Sequence, residues 1–136
     1  MVKTIFGLIG TSTLIASAWA LTLSQDDDRA RETALQWLQL VDSGNYTDAT
    51  LTMSEQTRGL RDWSNYLSTK RARLGRLNKR LIVEVKHRST IPGVADVRNY
   101  DILRFKTSFE RQPVAFEEVV TAKMGCCWEI FGYEIK

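Results

Sequence analysis

Residues 81–85 read Leu81-Ile82-Val83-Glu84-Val85. At this point the chain changes period, and the change decides the fold class. Ile82, Val83 and Val85 are β-branched and favour an extended, half-buried strand over a helix. Upstream, apolar residues recur at helical spacing. Ala30, Ala34, Trp37, Leu38 and Val41 line one face of an α-helix, and Ser43-Gly44-Asn45 marks its end. Residues 46–55 predict a second, shorter helix, with Tyr46, Ala49 and Met53 on one side. A third is expected over residues 57–70 or further, because Trp63, Leu67, Leu74 and Leu77 keep the helical spacing. Downstream, Pro92-Gly93 signals a turn, and Leu103, Phe105, Thr107 and Phe109 alternate along a strand over residues 100–109. Gln112-Pro113 is another turn, residues 115–124 a third strand, Gly125 a turn, and residues 126–135 a fourth strand. Helices followed by strands on short turns predict an α+β fold. About three helices should pack on one face of a curved four-stranded antiparallel sheet.

The chain has 136 residues, 43% hydrophobic and 26% charged, which suits one globular domain. Its N-terminus points to export. Lys3 supplies a thin positive start, residues 4–15 carry no charge and are mostly apolar, and Ala18-Trp19-Ala20 offers a cleavage site. That is the three-part pattern of a secretory signal peptide, with a retained N-terminal anchor as the alternative. The apolar run is shorter than the ~20 residues a spanning helix needs. The organisation expected is a signal peptide over 1–20, a linker over 21–28 and a single α+β domain over 29–136. The mature chain is expected in the periplasm or secreted, with no transmembrane span. Removing Lys3 from the 19 basic side chains leaves 18 against 16 acidic ones, so the mature domain is close to neutral. Asp26-Asp27-Asp28 is read as a helix N-terminus, where the macrodipole favours anions, rather than as a metal site.

Several residues carry a resemblance as an ordered set. They are Trp37-Leu38, Asp42-Ser43-Gly44-Asn45-Tyr46, Trp63, Arg71, Leu74-Gly75, Arg80, Pro92-Gly93, Phe105, Phe109, Glu118, Trp128 and Gly132-Tyr133. In this order the chain resembles an uncharacterised bacterial family, domain of unknown function 4019, from about residue 29 to residue 135. The resemblance implies a small exported protein and brings no activity with it. By element order the fold also looks similar to the nuclear-transport-factor-2-like, or cystatin-like, α+β cone. Two segments depart from the family pattern. Residues 94–99 replace a proline-aspartate-glycine turn, and Gly125-Cys126-Cys127 replaces an Asp-Gly-like turn before the tryptophan.

The candidates for chemistry are few. His87 is the only histidine, lies between Lys86 and Arg88, and is read as an exposed strand-end residue; no metal or cofactor is expected. Lys70, Arg71, Arg73, Arg76, Lys79 and Arg80 form a basic run, read as a solvated face. Binding of anionic surfaces is the alternative, and export argues against nucleic acid. Arg71 differs from its neighbours because it shares the apolar stripe with Trp63, Leu67 and Leu74. A guanidinium there needs a carboxylate, and Glu118, Asp101 and Asp42 are the candidates. A partly buried pair with one of them is expected at the mouth of the helix–sheet groove, read first as an internal pair that fixes packing and, as the alternative, as a ligand clamp. Arg71, Glu118, Trp63 and Tyr133 are therefore the candidate ligand-binding residues.

Cys126 and Cys127 are the only cysteines and the candidate redox residues. If Trp128 faces the core, alternation makes Cys126 a small core residue and Cys127 an exposed thiol. Three readings stay open: inert thiols, an intermolecular bond giving a homodimer or mixed disulfide, and a bond between the two neighbours. The function read from these features is non-enzymatic binding of an unknown envelope protein, peptide or small ligand. The alternatives are a small pocket enzyme using an Asp or Glu, with Tyr100, Tyr46 or Tyr133 as donor, and a structural homo-oligomer.

Overall fold

The computed structural model describes residues 17–89 and 99–136. Most of the expected signal peptide, and the loop expected at Pro92-Gly93, lie outside these residues.

Helix α1 spans Ser17–Asp42. Its stripe of Ala30, Ala34, Trp37, Leu38 and Val41 is buried, as the spacing predicts. Gly44, with φ 78°, ends it. The Asn45 N–H donates to the Leu40 carbonyl at 2.9 Å and the Gly44 N–H to the Val41 carbonyl at 3.1 Å, the pair of bonds of a Schellman motif. Residues 21–28 are helical rather than a linker, since no Gly or Pro interrupts them. Asp26, Asp27 and Asp28 consequently lie inside α1 and not at its first turn.

Three short helices follow: α2 (Tyr46–Leu51), α3 (Glu55–Arg58) and α4 (Trp63–Leu74). Two were expected over this stretch. The division follows from capping residues. Ser54 Oγ accepts from the Thr57 N–H at 3.2 Å, and Asp62 Oδ1 from the Asn65 N–H at 3.1 Å, so each starts a new helix. Gly75, with φ 75°, ends α4, and Leu77 passes into the sheet instead of extending the helix.

The strands are β1 (Leu77–Arg88), β2 (Tyr100–Phe109), β3 (Ala115–Met124) and β4 (Cys127–Ile135). They form an antiparallel meander in the order β1-β2-β3-β4, so the sheet is open and β1 and β4 are its edges. The inner face presents Leu103, Phe105 and Phe109 from β2, Ala115 and Val119 from β3, and Ile130, Tyr133 and Ile135 from β4. These pack with Trp37, Leu38, Val41, Ala49, Trp63, Leu67 and Leu74 of the helices into one core. Burying each large side chain contributes about 1.5–3 kcal/mol. Trp37 joins the layers: its indole N–H donates to the Ala49 carbonyl at 2.8 Å, and its ring lies 5.1 Å from that of Tyr133. The fold is thus α+β, with helices against one face of a four-stranded antiparallel sheet. Among the described residues, no helix is long and apolar enough to cross a membrane.

Candidate functional site

Arg71 finds its carboxylate at the end of α1. Its Nη2 lies 2.5 Å from Asp42 Oδ1. Of the three candidates Asp42 is the partner, while Glu118 and Asp101 lie elsewhere. The pair belongs to a larger buried network that also holds Arg80 and Glu117. Arg80 donates through Nη1 and Nη2 to both Asp42 oxygens, at 2.7 and 2.9 Å, and through Nε to Glu117 Oε1 at 2.8 Å. Glu117 is fully buried and also accepts from the Thr107 hydroxyl at 2.6 Å and the Tyr133 hydroxyl at 2.5 Å. Arg71 Nη1 lies 3.5 Å from Glu117 Oε2, and its guanidinium sits 4.6 Å over the Phe109 ring. Two cations and two carboxylates balance, which is the condition for burying them at tolerable cost.

Electrostatics in the network follow from this packing. Burial pushes the Asp42 pKa up, but hydrogen bonds and charges from Arg80 and Arg71 together hold it below its ordinary value. Burial works against the Arg80 charge, yet Asp42 and Glu117 raise its pKa above the ordinary arginine value. Burial and then the Glu117 carboxylate hold the Tyr133 hydroxyl protonated well beyond the ordinary range. Tyr133 is therefore a fixed donor to Glu117. The other tyrosine and carboxylate candidates are not assembled into an acid–base pair: Asp101 bonds His87, and Tyr100 lies on the opposite face of β2.

Three of the four expected binding residues do meet. Trp63, Glu118 and Tyr133 line one groove of about 540 Å³, together with Leu60, Arg61, Tyr66 and Lys70 on the helical side. Its floor runs along β4 from Phe131 to Ile135, with Val120 of β3 beside it. Arg71 stays beneath, in the network. The groove straddles the edge of the sheet, so residues from both faces of β4 line it. Its wall is fixed in place. The Trp63 indole N–H donates to the Thr57 carbonyl at 2.7 Å, and the Thr57 hydroxyl donates to the Phe131 carbonyl at 3.0 Å. Tyr66 meets Trp63 edge-on at 5.6 Å, and the Arg61 guanidinium stacks 4.8 Å over Trp63 and 4.5 Å over Tyr66.

The edge itself is only half satisfied. Near its start, the Ser54 N–H donates to the Ile130 carbonyl at 2.8 Å, and Met53 bridges Ile130 in parallel. Further on, Lys136 exchanges both backbone bonds with Phe116, at 3.0 and 2.9 Å. Antiparallel ladders alternate, so Glu134 also faces β3 while Tyr133 and Ile135 turn their N–H and C=O groups outward along the groove. Among the described residues these outward groups have no backbone partner.

The cysteines form a bond with each other. Cys126 and Cys127 are joined at the tip of the β3–β4 hairpin, and both are exposed. The expectation of a core Cys126 fails because Gly125 and Cys126 form the two-residue turn between Met124 and Cys127, where strand alternation does not apply.

Two network residues were missed in the sequence. The basic run reads as a solvated face, yet Arg80 turns inward to Asp42 and Glu117. The sequence reading takes Glu118 in place of Glu117, because alternation sorts β3 into Ala115-Glu117-Val119 and Phe116-Glu118-Val120 without saying which set faces the helices. Glu118 is half-buried on the outer face, opposite Glu134.

Over residues 33–133 the chain matches the family described as protein of unknown function (DUF4019), and it belongs to that family. No curated protein and no solved structure matches it, so the likeness to an α+β cone rests on element order alone.

Proposed function

We propose that this chain is an exported, non-enzymatic binding domain whose ligand is an extended peptide segment of an envelope protein. The observation that carries this reading is the open edge of β4 inside a formed groove. A peptide laid antiparallel or parallel to β4 would exchange backbone bonds with Tyr133 and Ile135, as in strand addition to a sheet edge. Its side chains on one side would meet Leu60, Tyr66 and the stacked Arg61, and those on the other would meet Val120 and the carboxylates of Glu118 and Glu134. That lining is amphipathic and of mixed charge, which suits a peptide better than an apolar small molecule. The wall is already held by Trp63 and Thr57, so little ordering entropy opposes binding. Export rests on the N-terminal pattern of Lys3, the uncharged residues 4–15 and Ala18-Trp19-Ala20.

Peptide display against the domain, followed by N-methyl scanning of the selected sequence, tests the reading. Strand addition predicts that methylation of alternate peptide amides abolishes binding while the intervening ones are tolerated. Uniform tolerance of backbone methylation would overturn the β4 assignment. Leu60→Asp should weaken the same peptide at least tenfold without changing the fold.

A further inference from the structure

A second cluster lies at the opposite end of the sheet from the groove, and neither the network nor the groove uses it. It joins Asp27 of α1, His87 near the end of β1 and Asp101 near the start of β2. One ligand atom from each lies within 4.8 Å of the others. The three residues share a pocket of about 340 Å³ with Asp26, Arg88, Asn99, Lys123 and Trp128.

The roles within the cluster differ. Asp101 is buried, with 5% of its side chain exposed, and its Oδ1 lies 2.7 Å from His87 Nδ1. With Nδ1–H donating to Asp101, the ring in its neutral form carries its lone pair on Nε2. Nε2 faces Asp27 Oδ1 across 3.7 Å, beyond hydrogen-bond reach. Two metal–ligand bonds of about 2.0–2.1 Å at a tetrahedral angle would hold their ligand atoms about 3.3 Å apart. A small movement of two exposed side chains closes that difference. The His87 and Asp27 side chains are 58% and 51% exposed. The buried carboxylate holding the far nitrogen is the arrangement that orients a metal-ligating histidine. Charge supports it. Lys123 is already engaged by Asp26 at 3.3 Å, and among the described residues neither Asp27 nor Asp101 pairs with a lysine or arginine.

We propose that His87 Nε2 and Asp27 bind a divalent transition-metal ion, with Asp101 as the positioning residue that holds the imidazole. Mixed nitrogen and oxygen donors with positions left for water suit Zn²⁺, Co²⁺ or Ni²⁺ rather than Ca²⁺ or Mg²⁺. Bound there, the ion would tie α1 to the ends of β1 and β2.

The test is a Zn²⁺ titration of the untagged chain followed by the ring nitrogens of His87 in NMR. As the only histidine, it gives an unambiguous signal. Coordination predicts a large saturable shift confined to Nε2. Asp27→Asn, on an exposed helix face, should weaken the midpoint at least tenfold with an unchanged fold. Asp101→Asn should weaken it by about 10–100-fold, the usual effect of removing an orienting carboxylate. An unshifted Nε2 at millimolar Zn²⁺ would overturn the proposal. So would a midpoint identical in wild type and Asp27→Asn, which keeps the test decisive even if Asp101→Asn fails to fold.

Discussion

Glu117→Gln is the sharpest perturbation of the buried network. The change is nearly isosteric, so it removes charge and leaves the packing intact. Glu117 accepts from Arg80, Thr107 and Tyr133 and lies opposite the otherwise unsatisfied Nη1 of Arg71. A glutamine offers one oxygen for these donors and turns an amide N–H₂ toward a guanidinium. Two buried cations would then share Asp42 alone. Breaking a buried ion pair in this way costs about 3–5 kcal/mol. That is a large part of the roughly 5–15 kcal/mol that holds a domain folded. With a urea slope of about 2 kcal/mol/M, a loss of about 4 kcal/mol lowers the midpoint by about 2 M. The assay is urea unfolding followed by tryptophan fluorescence, with Glu118→Gln on the outer face as control. The control should stay within about 0.5 kcal/mol of the parent. A Glu117→Gln midpoint within about 0.5 M of the parent, at unchanged slope, would refute the network as a stabilising unit.

Other outcomes follow from the same structure. Asp42 has a lowered folded pKa, so its stabilisation is present above its ordinary 3.8 and is lost as pH falls through and below that value. Acid unfolding between about pH 5 and pH 2 should therefore be shallower in Asp42→Asn, which starts from a lower stability at neutral pH. Leu67→Ala, at a fully buried position under α4, should cost about 2–5 kcal/mol in the same urea assay. Gly75→Ala should cost more than about 1 kcal/mol, because φ is 75° and an added Cβ would stand 3.0 Å from the Glu110 side chain. Replacing both Cys126 and Cys127 with serine should leave the melting temperature nearly unchanged, since a bond between adjacent residues closes no loop.

What the sequence revealed depended on how far each signal reached along the chain. The α1 stripe and the Gly44 stop are local and periodic, and both appear where the spacing places them. Arg71 was legible because a cation on an apolar helical stripe conflicts with its surroundings. Its partner was less so, because Asp42, Glu118 and Asp101 are equivalent until the register is known. Glu117 and Glu118 differ by one position, and choosing between them needs the phase of β3, which only cross-strand pairing fixes. Arg80 sits on edge strand β1 between two register shifts, and there a simple alternation cannot assign faces. Asp42 also breaks a local rule, an acid in the last turn of a helix, and it is tolerated because two guanidinium groups offset the dipole. His87 and Asp101 are direct cross-strand partners at the ends of β1 and β2 nearest their connection, and the register that pairs them cannot be read from spacing alone.

The central claim, that β4 is a docking edge, is tested most directly by the backbone amides that face the groove. Residue-resolved hydrogen exchange of the domain, alone and with a display-selected peptide, reads them individually. The account predicts that Tyr133 and Ile135 exchange freely in the unbound domain and gain strong protection on binding, while Glu134, already paired with β3, changes little. Protection of Glu134 in place of its neighbours, or tight peptide binding with Tyr133 and Ile135 still exchanging freely, would contradict it.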